Sequence, residues 1–269
     1  MPGLPIVKAH ADGNDFLLAP LAGVVGDIPT LVRAICHRHH GIGADGLVLH
    51  EIREREATMR LWNADGSPSE LSGNGLRCLA ALVARADGMT PALDGSHVVT
   101  VDTAAGVKTL VFLARSGERY SFRAAMGQPE QLRQVRIQVA GEELPAVLLS
   151  VGNPQCVVLG PLPDQRRFET LGPAISTHPM FEAGTNVEFA HVENSGRVRI
   201  RIWERGVGPT SSSGTGASAS AVAAVAYGRA AHSVEVVAPG GSQRVEWLDE
   251  GIFLTGSAEI VLEGVWRGG

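Results

Sequence analysis

Ser72-Gly-Asn-Gly-Leu-Arg-Cys-Leu-Ala-Ala-Leu-Val-Ala84 and Ser213-Gly-Thr-Gly-Ala-Ser-Ala-Ser-Ala-Val-Ala-Ala-Val-Ala226 share one layout. Each passes from a polar loop through Ser-Gly-x-Gly into a run of small and apolar residues. Such a run, with apolar side chains on every face, predicts a helix buried all round. A serine just ahead of it predicts an N-cap. The layout extends upstream. Thr58–Trp62 is read as a strand leading into the polar loop Asn63-Ala-Asp-Gly-Ser67, and Val198–Trp203 as a strand leading into Glu204-Arg-Gly-Val-Gly208. The recurrence lies about half a chain length apart and predicts an internal duplication of one unit, with a site expected between the halves.

Composition sets the outer bounds. The chain has 269 residues, 44% of them hydrophobic and 19% charged. At roughly 150 residues per domain that predicts about two domains, each large enough for its own core. With 23 Lys and Arg against 28 Asp and Glu, the net charge is −5, and the basic footprint required by a phosphate backbone is missing. No nucleic-acid partner is expected. No apolar run reaches the roughly 18 residues of a membrane span, so no membrane association is expected. The opening Met1-Pro-Gly-Leu-Pro-Ile-Val-Lys8 lacks a charged segment followed by an apolar one, so a cytoplasmic location is expected. Cys36, Cys78 and Cys156 lack disulfide or zinc spacing and are read as buried free thiols.

Period-2 and period-3.6 patterns place further elements. Leu4–His10 and Phe16–Ala19 are expected as strands around an Asp12-Gly-Asn-Asp15 turn, Ile28–His39 as a helix ending at Gly41, and Leu47–Glu51 as a strand. Five short strands follow from Val98 to Ser150, a mostly antiparallel region. His37, His39 and His40 crowd the end of the expected helix without acidic or cysteine ligands at matching spacing, and no metal is expected there. No P-loop Lys-Ser/Thr follows either Gly-x-Gly turn, which argues against a phosphate-binding protein built on these turns.

The two turns carry the chemistry. A helix start offers unpaired N–H groups and the positive end of the macrodipole, and glycine lets a ligand approach closely. Each Ser-Gly-x-Gly is therefore read as an anion seat. Asn14, Asn63, Asn153, Asn186, Glu204 and Arg205 gather in loops around these segments. A single loop asparagine is ordinarily a turn former. Collectively, these amides can both donate to a carboxylate and accept from an ammonium, and an arginine adds a planar fork, which is the lining an amino acid needs.

Gly13-Asn-Asp-Phe16, His40-Gly-Ile-Gly-Ala-Asp-Gly46, Asn63-Ala-Asp-Gly-Ser67, Gly73-Asn-Gly-Leu-Arg-Cys78, Gly152-Asn-Pro154, Gly184-Thr-Asn-Val-Glu-Phe189, Glu204-Arg-Gly-Val-Gly208 and Gly214-Thr-Gly216 occur in this order. Along nearly its whole length the chain resembles the diaminopimelate epimerase family. The resemblance implies an α+β fold of two pseudo-symmetric domains, each a mostly antiparallel sheet or barrel wrapped around a central helix. It places residues 1–118 in the N-terminal domain and 119–255 in the C-terminal one, with 256–269 returning as a strand to the first. It implies an isomerase that interconverts LL- and meso-diaminopimelate without a cofactor, moving a proton off one face of the α-carbon and onto the other, and a possible homodimer. Carried over by motif, the substrate-binding positions are Asn14, Gly46, Asn63, Gly73, Asn74, Asn153, Asn186, Glu204, Arg205, Gly214 and Thr215.

The family's two catalytic cysteines are Ser72 and Ser213 here, and Gln155 stands where the family usually has a histidine that tunes a thiol. The expected catalytic set is therefore Ser72, Ser213, Glu204 and Gln155, with Glu204 the sole neighbouring base the sequence offers. A serine hydroxyl is on the order of 7 pKa units weaker than a cysteine, so its alkoxide costs roughly 10 kcal/mol more. A helix terminus returns at most about 2 kcal/mol. Two readings follow: an epimerase that works through hydroxyls or a bound water, or a diverged amino-acid binder, isomerase or dehydratase that keeps the cleft.

Overall fold

Asp12 and Gly13 both have positive φ, 52° and 83°, the conformation of a two-residue type I′ hairpin turn, which Asp-Gly favours. This turn joins β1 (Leu4–Ala11) to β2 (Asn14–Pro20) with Ala11 opposite Asn14. Asn14 and Asp15, expected in the turn, are thus the first residues of a strand. The computed structural model describes residues 3–91 and 97–268, so Met1 and Pro2 of the N-terminal stretch read above lie outside the described residues. The chain divides into one compact unit of Met1–Ala124 with Gly256–Gly269 and a second of Ala125–Thr255.

In the first unit β2 is followed by α1 (Ile28–Cys36), β3 (Gly46–Arg53), β4 (Glu56–Asn63), β5 (Pro68–Ser69), α2 (Gly73–Ala86), β6 (Val98–Thr103), β7 (Gly106–Ser116) and β8 (Arg119–Gly127). β2 runs parallel to β3, β3 antiparallel to β4, and β4 antiparallel to β5 and parallel to β6. The last part of β17 (Gly251–Trp266) pairs antiparallel with β1 in this unit. In the second unit β9 (Glu130–Val139) and β10 (Glu142–Ser150) form a hairpin, followed by β11 (Pro154–Leu159), α3 (Gln165–Ser176), β12 (Asn186–Asn194), β13 (Arg197–Glu204), β14 (Gly208–Thr210), α4 (Gly214–Tyr227), β15 (Ser233–Ala238) and β16 (Gly241–Leu248). Here β11 is parallel to β12, β12 antiparallel to β13, and β13 antiparallel to β14 and parallel to β15. The pairing pattern of the first unit is repeated strand for strand, and the duplication read from the sequence is present in the fold.

Each unit is built around its small-residue helix. In α2 every residue from Asn74 to Ala84 is buried, and Leu79, Ala80, Ala81 and Val83 lie in one core with Phe16, Val48, Phe112 and Phe122 of the surrounding strands. In α4, Ala217, Ala221, Val222 and Ala224 pack with Val157, Ile200, Val236 and Leu254. Alanine and serine on all sides let strands close around the helix, and Ser218 satisfies its buried hydroxyl on Gly214 O at 2.9 Å.

The helix expected over 28–39 ends at Cys36. His37 leaves the helical region (ψ 120°), its ring nitrogen accepts from the N–H groups of His39 and His40, and Ile35 O is taken by the N–H groups of Ile42 and Gly43. The carbonyls at the helix end are thus satisfied by the following turn rather than by further helix. α3 was not read from the sequence, because Pro173 and Gly172 interrupt its pattern; Asp164 caps it, accepting from Arg167 N at 2.8 Å. Because Leu79 is fully buried at the centre of the first core, Leu79→Ala is expected to lower the unfolding free energy by about 2–5 kcal/mol, read from urea unfolding followed by circular dichroism.

Candidate active site

The start of α2 is fixed by its own cap. Ser72 has extended backbone (φ −130°, ψ 122°), its Oγ accepts from Gly75 N at 3.1 Å, and its carbonyl accepts from Leu76 N. Packing beneath Gly75 is close: a Cβ there would lie 3.2 Å from the end of Met59 and 3.4 Å from the Phe16 ring. A file of side chains then runs away from this turn. The buried Arg77 guanidinium donates to Asn74 Oδ1, Asn74 Nδ2 donates to Asn14 Oδ1 at 3.1 Å, and Asn14 Nδ2 donates to Asp45 Oδ2 at 2.7 Å. Arg77 also faces Asp12 at 3.7 Å. Both asparagine amides are locked in orientation by a cation at one end and a carboxylate at the other.

Asp15 anchors this file from behind. Burial pushes its carboxyl pKa up, but hydrogen bonds from Arg38 at 2.8 Å and Lys8 at 3.0 Å, with their charges, outweigh that and hold it below the ordinary carboxylate value. Arg38 bridges to Asp45 at 2.7 Å, so the carboxylate that orients Asn14 is tied into the same cluster. Gly46 pairs with Phe16 on one side and with Asn63 on the other, and a Cβ on it would meet Trp62 O at 2.6 Å. Asn63 is exposed and donates to Ser67 Oγ at 3.0 Å. The first unit therefore brings Asn14, Asn74, Gly73 and Ser72 together at the start of α2, with Gly46 and Asn63 on the neighbouring strands.

The second unit repeats the geometry with other side chains. Ser213 caps α4, its Oγ accepting from Gly216 N at 3.1 Å and lying 3.4 Å from Thr215 Oγ1. Asn153 Nδ2 lies 3.5 Å from Thr215 Oγ1, and the Asn153 and Gln155 side chains meet at 2.6 Å. Asn186 Oδ1 accepts from Arg205 N at 2.9 Å, which ties β12 to the turn after Glu204; the Arg205 guanidinium donates to Ala183 O. Asn153, Gln155, Thr215, Ser213 and Gly214 are thus one group, adjoined by Asn186, Glu204 and Arg205. The paired registers Phe16–Gly46 and Gln155–Asn186 equate Gln155 with Phe16, and two residues along the strand, Glu188 with Val48.

Glu188 was missed by sequence reasoning, although it sits in the quoted Gly184–Phe189 motif. Its signal was a lone acid between Val187 and Phe189 in an apolar strand. It is fully buried, its carboxyl lies against Gly216 at the first turn of α4, and it contacts the Gln155 carboxamide at 3.0 and 3.2 Å. Burial, reinforced by the charge of Glu204, pushes its pKa well above the ordinary carboxylate value. The Arg38–Asp15–Asp45 cluster and Arg77 were likewise missed. All three cysteines are buried and free, and burial pushes the Cys36 and Cys78 thiols up to about 12 and that of Cys156 higher still, so none of them ionises near neutrality. Among the described residues no group of three or more potential metal ligands occurs, and no helix is long and apolar enough to cross a membrane.

A family model described as diaminopimelate epimerase matches residues 6–131 and 147–261. The chain belongs to this family. Diaminopimelate epimerases of Desulforudis audaxviator and Desulfitobacterium hafniense are 39% and 38% identical to it, over 98% and 97% of this chain and 99% and 98% of theirs. Among solved structures, a hydroxyproline epimerase of Agrobacterium vitis, determined with trans-4-hydroxy-L-proline bound, has a TM-score of 0.67 at 19% identity, covering 98% of this chain and 93% of that one. A PhzF-family phenazine biosynthesis protein of Bacillus anthracis has a TM-score of 0.65 at 15% identity, covering 98% and 99%. At these identities the fold is what is shared. The α+β architecture expected from the resemblance to the diaminopimelate epimerase family is the one observed, and the chain is an isomerase of the racemase and epimerase type by that kinship.

The Asp15 cluster has a pH consequence. Because the folded pKa lies below the unfolded one, the cluster stabilises the fold above the ordinary carboxylate value, and this is lost as pH falls through the folded pKa. Asp15→Asn is expected to lower Tm at neutral pH by several degrees, with the deficit shrinking as pH drops below about 4. A deficit of equal size at acid and neutral pH, measured by differential scanning calorimetry, would show that the charge is not the cause.

Proposed function

We propose that the protein interconverts LL- and meso-2,6-diaminopimelate by cofactor-independent proton transfer at the α-carbon, with Ser72 and Ser213 as the two hydroxyls that exchange a proton with it. The observation that carries this reading is the paired Ser-Gly-x-Gly helix start, each with its oriented amides, in a chain 39% identical to a diaminopimelate epimerase. The N-terminal end of a buried helix favours a substrate carboxylate and the negative charge that develops as the α-proton leaves. Asn14 and Asn74 supply amide groups of fixed direction in the first unit, with Gly46, Asn63 and Gly73 alongside. Asn153, Asn186, Glu204, Arg205, Gly214 and Thr215 supply the second set, and Gln155 supports Thr215. Glu204 and Arg205 offer a carboxylate and a guanidinium suited to the ammonium and carboxylate of the far end of the substrate. The family resemblance extends the proposal to a cytoplasmic homodimer.

A free hydroxyl is a poorer proton exchanger than a thiol, since its conjugate base costs roughly 10 kcal/mol more to form. The reaction through serine is therefore slow, and a second reading follows from the same fact: a protein that binds the amino acid without turning it over. Proton NMR of LL-diaminopimelate in D2O separates the two. Loss of the α-proton signal with appearance of the meso isomer is expected for the unmodified protein, and Ser72→Cys/Ser213→Cys is expected to raise that rate on the order of 100-fold or more. Exchange only in the double-cysteine variant establishes the binding reading, and exchange in neither removes diaminopimelate as the substrate.

A further inference from the structure

Where the first unit packs Phe16 and Val48 beneath its helix, both in the apolar core, the second unit places Gln155 and Glu188, both buried. Filling equivalent space with a carboxamide and a carboxyl costs desolvation that the apolar pair avoids, so the polar pair is retained against its effect on stability. The contacts show what it is connected to. One end of the Gln155 carboxamide lies 3.0 and 3.2 Å from the two oxygens of Glu188; the other lies 2.6 Å from the Asn153 side chain and 3.2 Å from Thr215 Oγ1, and Thr215 Oγ1 lies 3.4 Å from Ser213 Oγ.

We propose that Glu188 is a positioning residue for Ser213: whether its carboxyl holds a proton decides which end of Gln155 faces Thr215, and so whether Ser213 offers its proton or its lone pair. The inference rests on Ser213 taking part in proton transfer. With Glu188 protonated, its O–H donates to Gln155 Oε1, and Gln155 Nε2 donates to Asn153 Oδ1 and Thr215 Oγ1. Thr215, already receiving from Asn153 Nδ2, turns its own O–H onto Ser213 Oγ. That oxygen then accepts from Thr215 and from Gly216 N, and its hydrogen is left to point outward as an acid. With Glu188 ionised, the chain reverses: Gln155 Nε2 donates to the carboxylate, the Asn153 amide turns so that its Nδ2 donates to Gln155 Oε1, that oxygen also accepts from Thr215 O–H, Thr215 accepts from Ser213 O–H, and Ser213 presents a lone pair as a base. A two-face epimerisation needs a given position as acid in one direction and as base in the other, and this chain has a matching hydrogen-bond arrangement for each.

The groups that face Glu188 set the balance between its two protonation states. From β11 comes the buried Cys156 thiol, from the end of β13 the Glu204 carboxylate, and from α4 no titratable side chain but the positive end of the helix at Gly216. Burial and Glu204 favour the protonated form, and the helix end opposes them.

The test needs no substrate. In ligand-free protein, the side-chain 15N resonance of Gln155 and the 13C carboxyl resonance of Glu188 are followed by NMR from about pH 5 to about pH 9. They are expected to titrate together with one midpoint above the ordinary carboxylate range, and the Gln155 titration is expected to vanish in Glu188→Gln. A Gln155 resonance that stays still while Glu188 titrates, or a Glu188 that does not change state in this range, overturns the proposal. The isosteric Glu188→Gln variant removes the carboxyl whose burial is unfavourable and keeps its volume; should it not fold, the co-titration in the unmodified protein decides alone. In variants active on diaminopimelate, Glu188→Gln is expected to abolish the matching limb of the pH profile of α-hydrogen exchange, and its persistence counts against the coupling. If diaminopimelate is not turned over at all, the proposed function falls while the ligand-free titration still decides whether Glu188 steers Gln155.

Discussion

A helix enclosed by strands along its length meets the polar surroundings only at its ends, and its opening N–H groups must find partners at the first turn. In both units that requirement is met by the serine hydroxyl of Ser-Gly-x-Gly, which takes the third N–H of the turn at 3.1 Å. Small residues allow the strands to approach, the approach buries the helix, and the N–H groups of its first turn gather at one place in each unit. The glycines belong to the same constraint: at Gly216 a Cβ would lie 2.7 Å from Glu188 Oε1, and at Gly75 it would press on the end of Met59. The serines that look catalytic by resemblance thus have a second, structural duty as caps, and removing a thiol from these positions leaves the fold's own requirement intact.

The two units solve the space beneath that turn differently, and the difference is electrostatic. The first unit closes it with Phe16 and Val48 and keeps its charges at one side, where Arg77, Asn74, Asn14 and Asp45 form a file whose directions are set by the ion pairs around Asp15. Because formal charges pin both ends, these amides have one arrangement. The second unit closes the space with Gln155 and Glu188, and a carboxamide between a titratable carboxyl and a hydroxyl has two arrangements of similar shape. One half of the duplication therefore supplies a rigid polar surface, and the other a hydrogen-bond chain with a choice of direction. For the proposed proton transfer through Ser72 and Ser213, control over that direction bears on the chemistry more strongly than it would beside a thiol, whose ionisation is about 7 units easier.

Much of the architecture was legible in the sequence. The twin small-residue runs announced buried helices because an apolar pattern without a polar stripe has no face to give to water. The turn at Asp12–Asp15, two residues shorter in the structure than its polar run suggests, the strands around it and the recurrence of strand, polar loop and helix were local or periodic signals that survive without tertiary context. Legibility ended where long-range partners overrode local pattern. The expected continuation of α1 to His39 failed because carbonyls near its end are met by Ile42, Gly43 and Ala44, and α3 was hidden by the internal Gly172-Pro173 irregularity that burial against Phe189 and Trp203 tolerates.

The sequence by itself determined the duplication, the buried small-residue helices and the identity of the capping serines, since these depend on residue type, period and spacing; the fold class followed from the family resemblance. Tertiary structure alone decided which polar residues act together. Glu188 and Gln155 are more than thirty positions apart, and Arg77, Asn14 and Asp45 come from α2, β2 and the loop before β3. Whether a buried acid is an ordinary strand residue or a partner for a carboxamide depends on the groups within hydrogen-bonding distance and on the water excluded around them. Strand register and helix packing set both of these, and no single segment of the sequence carries them.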